Sequence, residues 1–387
     1  MVYRITKSNG ERIPVIDDNR NLRVDVLRSP IHAGREIRPA VDFTTLGIGQ
    51  GTSEGFTSGG KFTLSPFVPN SYASNNTIDK FPFAATFSYT DVGDLTEDRY
   101  AASGASDAVG GYGYTAGGMY SPVPPTGPYD SFNIIDRFPF TSNANAADVG
   151  DLDITKYLAA GAESPTHGFH VGGYDITPPS GTETSTRNTR SRHAFASSAN
   201  ATDFGDLTPT GFNVGTANGA GCTDKIGGRG FVSGGRIRQP SPPNNVYRND
   251  IYSYPFANSS TGSDVGTLVN GDQRSDAFAF ASGVNGYIAG GLDLTASPYT
   301  GPDREIQKFP FAISSANAAE VGNLNYDAYA SASMNSATAG YCVAGVGNPY
   351  TTMAQKRITK VDFATDADTI FTYGYPHYRS YATGFQG

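Results

Sequence analysis

The sequence predicts an all-β fold: a six-bladed β-propeller closed by N- and C-terminal strands in one blade, with an N-terminal extension. Three observations predict it. The composition is rich in glycine and aromatic residues, several motifs recur in steps of 52 to 62 residues, and the repeat phase starts and stops part-way through a unit.

Composition comes first. The 387 residues include 47 Gly, 23 Tyr and 23 Phe, no Trp, and only 17% charged residues. Many turn formers, many strand-forming aromatics and few helix formers describe a chain of short strands and tight turns. The net charge of −8 is uneven: residues 1–50 hold 8 Lys+Arg against 6 Asp+Glu, and residues 51–387 hold 20 against 30. An acidic body argues against nucleic acid as a partner. Cys222 and Cys342 fall in different repeats, so free thiols are expected. No apolar run has the length of a signal peptide or a membrane span, so no membrane insertion is expected.

The repeat carries the fold. Gly-Gly ends a short strand at Gly59-Gly60, Gly117-Gly118, Gly172-Gly173, Gly234-Gly235 and Gly290-Gly291, with Ala344-Gly345 as a weaker sixth copy. An aromatic strand ends in Phe at Phe83, Phe140, Phe195, Phe256, Phe311 and Phe363, in steps of 57, 55, 61, 55 and 52. Asp91-Val92-Gly93-Asp94-Leu95 and four related copies follow the first five of these strands; no sixth copy is recognisable. A run of small residues precedes each Gly-Gly strand, as in Arg99-Tyr100-Ala101-Ala102-Ser103-Gly104. Four short strands in about 55 residues is the size of one propeller blade. Small residues suit a crowded strand at the axis, and Phe81 and Phe83, two apart, share a face that can pack between blades. The phase opens at Gly55–Gly60 and stops after Tyr378–Gly384, so the C-terminus is expected to supply the innermost strand of the first blade. Residues 1–50 lack the repeat. They read as an arm or docking segment, with β-like alternation at Arg12–Ile16 and Leu22–Leu27, ahead of a propeller at 51–387.

The order Arg-x-x-x-Ala, Gly-Tyr-x-x-Gly-Gly and an aromatic strand resembles the Kelch repeat, best in Gly113–Gly118 and Gly286–Gly291. Kelch repeats usually carry a Trp on the fourth strand, which this chain lacks. The wording Phe-Pro-Phe, then Thr141-Ser142-Asn143-Ala144-Asn145-Ala146, then Asp-Val-Gly-Asp-Leu resembles Kelch-like repeat proteins of marine and cyanobacterial phages. That resemblance implies a virion structural protein of tail, baseplate, neck or capsid surface, assembled in the host cytoplasm. It would be anchored to other virion proteins through residues 1–50, with a host-surface glycan or protein as a further partner.

The longest connections all link the Gly-Gly strand to the aromatic strand, at 61–77, 119–134, 174–189, 236–250, 292–305 and 346–357. Equivalent connections emerge on one face of a propeller, and their Tyr, Pro and Asn offer contact area at low entropic cost. Tyr120, Tyr129, Tyr174, Tyr247, Tyr299 and Tyr350 are the binding candidates, by protein contact or by stacking on sugars. No catalytic residue, metal ligand or cofactor is expected. His167-x-x-His170 is the one close histidine pair, and no Cys, Asp or third His stands near it in sequence. The Asp-Val-Gly-Asp-Leu element is expected to be an Asp-stabilised turn rather than a Ca²⁺ site, which wants six or more oxygens. A propeller hydrolase or oxidase would need a cluster of acidic residues or histidines that the sequence does not display.

Overall fold

The computed structural model describes residues 4–6, 12–14, 53–63, 72–83, 89–121, 130–177, 182–208, 216–238, 245–294, 301–347, 357–371 and 379–386. Two compact units divide the chain, Met1–Phe43 and Thr44–Gly387. In the first, Arg4–Thr6 pairs antiparallel with Arg12–Pro14, Ile5 opposite Ile13. The alternation expected at 22–27 lies outside the described residues.

The described part of the second unit is β-structure throughout, apart from one 3-10 turn at Val269–Gly271. Small antiparallel sheets organise it. The first sheet runs Thr383–Gln386, Glu54–Ser58, Thr77–Pro82, Thr90–Asp94. The second runs Ser103–Asp107, Tyr112–Ala116, Ile134–Pro139, Ala147–Asp151, and the third Ala160–Glu163, His167–Val171, Thr189–Ala194, Thr202–Asp206. The fourth holds Ala220–Asp224, Arg229–Ser233, Asp250–Pro255, Ser263–Thr267, and the two-residue strand Ala316–Asn317 adds to it in parallel, Gly266 opposite Ala316. The fifth holds Phe278–Ala281, Asn285–Ala289, Glu305–Pro310, Ala319–Asn323, and the sixth Ala332–Asn335, Ala339–Val343, Ile358–Asp362, Asp368–Phe371. The C-terminal strand pairs with the earliest one of its sheet, Gly55 opposite Gln386, as the motif order implies. The first strand of each sheet packs on the first strand of the next, and Thr383–Gln386 packs on those of the second and sixth.

Several local expectations need correction. The small-residue run is not one strand: Arg99–Ala102 precedes the strand that starts at Ser103. The break is a left-handed residue, Ala101 at φ 56°, repeated at Leu158, Asn218, Asp276, Ala330 and Tyr381. The Asp-Val-Gly-Asp element is not a turn but the fourth strand of its sheet, bulged beside its glycine, where Val92, Val149 and Val265 are left without a partner across the ladder. The Asp still acts as expected on the backbone: Gly93 N–H donates to Asp91 Oδ1 at 3.2 Å, and Gly150, Gly205 and Gly266 do the same with their own Asp. The missing sixth copy is Asp368–Phe371, which has no glycine and pairs without a bulge. Its motif vanished because the bulge did.

Each sheet is joined to the next in three ways. The Phe that follows each third strand packs on an aromatic of the preceding sheet's second strand, tilted for Phe140 on Phe56 and stacked for Phe195 on Tyr114, Phe256 on Phe169, Phe311 on Phe231, Phe363 on Tyr287 and Phe83 on Tyr341, at 4.4 to 5.3 Å between centroids. Such pairs contribute about 0.5–1.5 kcal/mol each beyond area burial. The second glycine of Gly-Gly donates its N–H to the next repeat, as Gly118 to Lys156 O at 2.9 Å and Gly345 to Arg379 O at 2.8 Å. The left-handed residues donate to one another: Leu158 to Ala101, Asn218 to Leu158, Asp276 to Asn218, Ala330 to Asp276, Tyr381 to Ala330 and Ala101 to Tyr381, at 2.7 to 3.1 Å. The series ends on the residue where it began.

Glycine occupies five of the six places that precede the Gly-Gly donors, and a Cβ would be crowded at each of the five. Gly172 has φ +71°, and a Cβ there would lie 2.1 Å from Thr216 O. We expect Gly172→Ala to lose about 1–3 kcal/mol from its backbone angle alone, and more from the clash. Ala344 holds the equivalent place with φ 58°, so Ala344→Gly should change stability by less than about 1 kcal/mol. Denaturant midpoints of the two variants check the contrast.

Candidate functional site

The Gly-Gly end of the second strands holds the elaborated structure. The connections expected to be loops contain short hairpins instead. Lys61–Thr63 pairs with Tyr72–Ser74, Met119–Tyr120 with Asp130–Ser131, Tyr174–Thr177 with Thr182–Thr186, Arg236–Arg238 with Asn245–Tyr247, and Leu292–Asp293 with Gly301–Pro302. Each hairpin also bonds to the turn that precedes its repeat's first strand, for example Tyr100 to Met119, Tyr157 to Tyr174 and Arg274 to Asp293. An edge strand is thereby paired rather than left open.

Buried cations hold these turns down. Arg99 and Asp136 have side chains 0% exposed, with Nη2 2.5 Å from Oδ2. Thr96 adds its N–H and hydroxyl to the same carboxylate. Arg379 repeats the arrangement with Asp79 at 2.7 Å and donates further to Thr77 O and Gly59 O. In the third repeat Lys156 donates to Ser191 Oγ, with Asp153 4.0 Å away, and burial lowers its pKa to about 8 against the pull of Asp153. In the fifth, Arg274 meets Asp272, Asp303 and Glu305, and burial pushes Glu305 up to about 7 despite Arg274. Where the cation is absent, at Thr216 and Ala328, the third-strand partner position is uncharged too, Tyr252 and Thr359. Where the cation is kept but the third-strand position is uncharged, at Ser191 and Gln307, the carboxylates come from elsewhere in the repeat, Asp153 for Lys156 and Asp272, Asp303 and Glu305 for Arg274, because a buried charge without its partner costs several kcal/mol.

Beside the turns, Tyr100, Ala101, Met119, Tyr157, Tyr174 and Ala217 form one buried apolar cluster, with Leu158 and Tyr381 against it. Lys61 lies 5.0 Å over the Tyr100 ring and Arg236 5.0 Å over Tyr174. Asp276 sits among Asn218, Ser275 and Tyr381, and burial raises its pKa despite their hydrogen bonds.

The six candidate tyrosines divide. Tyr120 and Tyr247 are half-exposed on hairpin strands. Tyr174 is 0% exposed and is corrected from a surface candidate to a core residue. It follows Gly173 directly, so strand alternation turns it toward Tyr157, whose ring lies 5.6 Å away. Tyr120 comes one place later and faces the other way. Tyr129, Tyr299 and Tyr350 lie outside the described residues. His167 and His170 do not converge, being three apart on one strand; His170 instead meets His193, 3.1 Å away. No group of three or more His, Cys, Asp or Glu among the described residues is placed to hold a metal ion. Cys222 and Cys342 are buried free thiols, raised in pKa by burial. Reading the sequence alone missed the buried ion pairs. The signal was present: Asp79 and Asp136 stand two residues before the Phe-Pro-Phe of their repeats, and Arg379 and Arg99 stand in the turns that meet them.

No family model and no curated protein matches the chain. Among solved structures, one titled "Structure of YjhT" matches 84% of this chain and 100% of that chain, with a TM-score of 0.61 and 12% sequence identity. The likeness is one of fold. YjhT and this chain share a β-architecture that very different sequences support.

Arg99→Met should cost about 3–5 kcal/mol, since it strands the Asp136 carboxylate. Arg99→Met with Asp136→Asn should cost less than the single change, with a coupling above about 2 kcal/mol by double-mutant cycle.

Proposed function

We propose that residues 51–387 form a closed six-bladed Kelch-like propeller that serves as a non-catalytic binding module of a phage virion, anchored by residues 1–50. Support for the closed arrangement comes from the three inter-repeat contacts, each of which recurs between the sixth sheet and the first. The observation that carries the binding role is the recurrence of a hairpin at the same point of successive repeats, which crowds non-repeated side chains onto one end of the strands. The phage setting rests on the wording of the Phe-Pro-Phe and Asp-Val-Gly-Asp-Leu elements. A neighbouring virion protein is the proposed partner of the arm, and a host-surface protein or glycan that of the hairpin end. Half-exposed Tyr120 and Tyr247 favour the glycan version of that second contact.

Mass spectrometry and labelled electron microscopy of purified particles test the role. The chain should co-purify at fixed stoichiometry and mark one site; its absence from particles sinks the virion reading. On a glycan array, Tyr120→Ala and Tyr247→Ala should weaken any signal about tenfold or more at unchanged thermal midpoint. Tyr174→Ala should lower the midpoint instead, through a loss of roughly 3–5 kcal/mol of core packing.

A further inference from the structure

The third repeat departs from the others at two buried positions. It has His193 where they have Phe81, Phe138, Tyr254, Phe309 and Val361, and His170 where they have Thr57, Thr115, Val232, Ile288 and Cys342. His170 is 0% exposed and His193 2%. Their rings stack at 5.1 Å between centroids, with His170 Nε2 3.1 Å from His193 Nδ1. The pair also reaches the second sheet. His170 Nδ1 lies 2.7 Å from Ser103 Oγ, and the His193 ring lies 4.9 Å from that of Tyr114. Phe195 covers it edge-on at 5.5 Å.

Two ring nitrogens that face each other at hydrogen-bond distance hold one proton between them when both rings are neutral: one donates, the other accepts. Protonating both would put two cations face to face. The surroundings offer no relief. His193 Nε2 is buried without a hydrogen-bond partner. The charged or titratable groups that act on the pair are Lys156, whose Nζ is 3.5 Å from His170 O, and His167, which itself feels Arg192. The side chains of the pair meet those of Ser103, Tyr114 and Phe195, none of them a carboxylate.

We propose that His170 and His193 make the junction between the second and third sheets an acid-sensitive joint, which loosens on acidification while the other junctions hold. Burial first, then each other and the neighbouring cations, push His170 well below its ordinary value and His193 down to about 3. In the closed joint both rings stay neutral. In an opened joint they regain water and protonate near about pH 6.5. The open state thus binds more protons between these limits. Closure is fully favoured above about pH 6.5 and loses ground progressively as pH falls toward 3.

Hydrogen–deuterium exchange of the full chain from pH 7.5 to 5, corrected for intrinsic rates, tests the joint. Peptides covering residues 103–116, 160–171 and 189–194 should lose protection about tenfold or more relative to residues 285–289 and 305–310 of the fifth sheet. His193→Phe with His170→Thr, the residues found at 138 and 115, should abolish the difference while keeping protection at pH 7.5. Uniform loss over all sheets in the unaltered chain overturns the proposal, and so does an unchanged acid profile in the folded variant. The unaltered chain decides by itself where the variant does not fold.

Discussion

One backbone hydrogen bond organises this chain: the second residue of each Gly-Gly gives its N–H to the carbonyl of the residue that opens the following repeat's turn, Arg99, Lys156, Thr216, Arg274, Ala328 or Arg379. In five copies that carbonyl comes so close that Gly59, Gly117, Gly172, Gly234 and Gly290 would collide with it if they had a Cβ, while the sixth forms the same bond with Ala344 in that place. The acceptor side must turn sharply two residues later. It does so through a left-handed residue that need not be glycine, at a cost of about 1–2 kcal/mol each. That strain persists because the same residues donate to one another in an unbroken series. Once the turn is fixed, the side chain of its opening residue has one place to go, beneath the turn against the third strand. There Arg99 finds Asp136 and Arg379 finds Asp79. The buried ion pair is therefore a consequence of the backbone bond, and it fixes which turn sits on which sheet.

This dependence explains what the sequence made legible. Gly-Gly, the Phe-ended strand and the glycine of Asp-Val-Gly-Asp-Leu were readable because each meets a steric rule that few residues satisfy. Wherever a rule is relaxed, the motif fades while the element remains. Asp368–Phe371 pairs without a bulge, so it needs no glycine and carries no recognisable motif. Ala344 tolerates its positive φ and blurs the sixth Gly-Gly. The hairpins were not legible, because two or three residues of pairing leave no period to read; nor was the burial of Tyr174, which turns on one residue of register.

The ion pairs mark the boundary between the two cases. Their residues stand in the sequence in plain sight, but separated by 37 residues for Arg99 and Asp136 and by 300 for Arg379 and Asp79. No local pattern relates them. Comparison among repeats relates them only in part: Thr216 and Ala328, which lack the cation, face Tyr252 and Thr359, but Lys156 and Arg274 keep it opposite Ser191 and Gln307. Those two draw their carboxylates from other positions of their own repeats, so what repeats is the buried cation under the turn rather than one fixed pair of residues.

The same reasoning locates where recognition can reside. The repeated positions are spent on one another: their N–H and C=O groups are paired between repeats, their cations are neutralised, and their aromatics are stacked. Side chains free to meet a partner must come from positions that do not repeat. Exposure agrees. Among the described residues the large apolar side chains most open to solvent are Val109, Ile226 and Val284, at turns between first and second strands, and Val246, on a hairpin beside Tyr247. First-strand turns and hairpins lie at opposite ends of the second strand, so the frame offers two surfaces that can change without disturbing its joints. His170 and His193 are the opposite case, a change made inside a joint. Variation there touches the packing between two sheets, whereas variation at the ends leaves that packing alone.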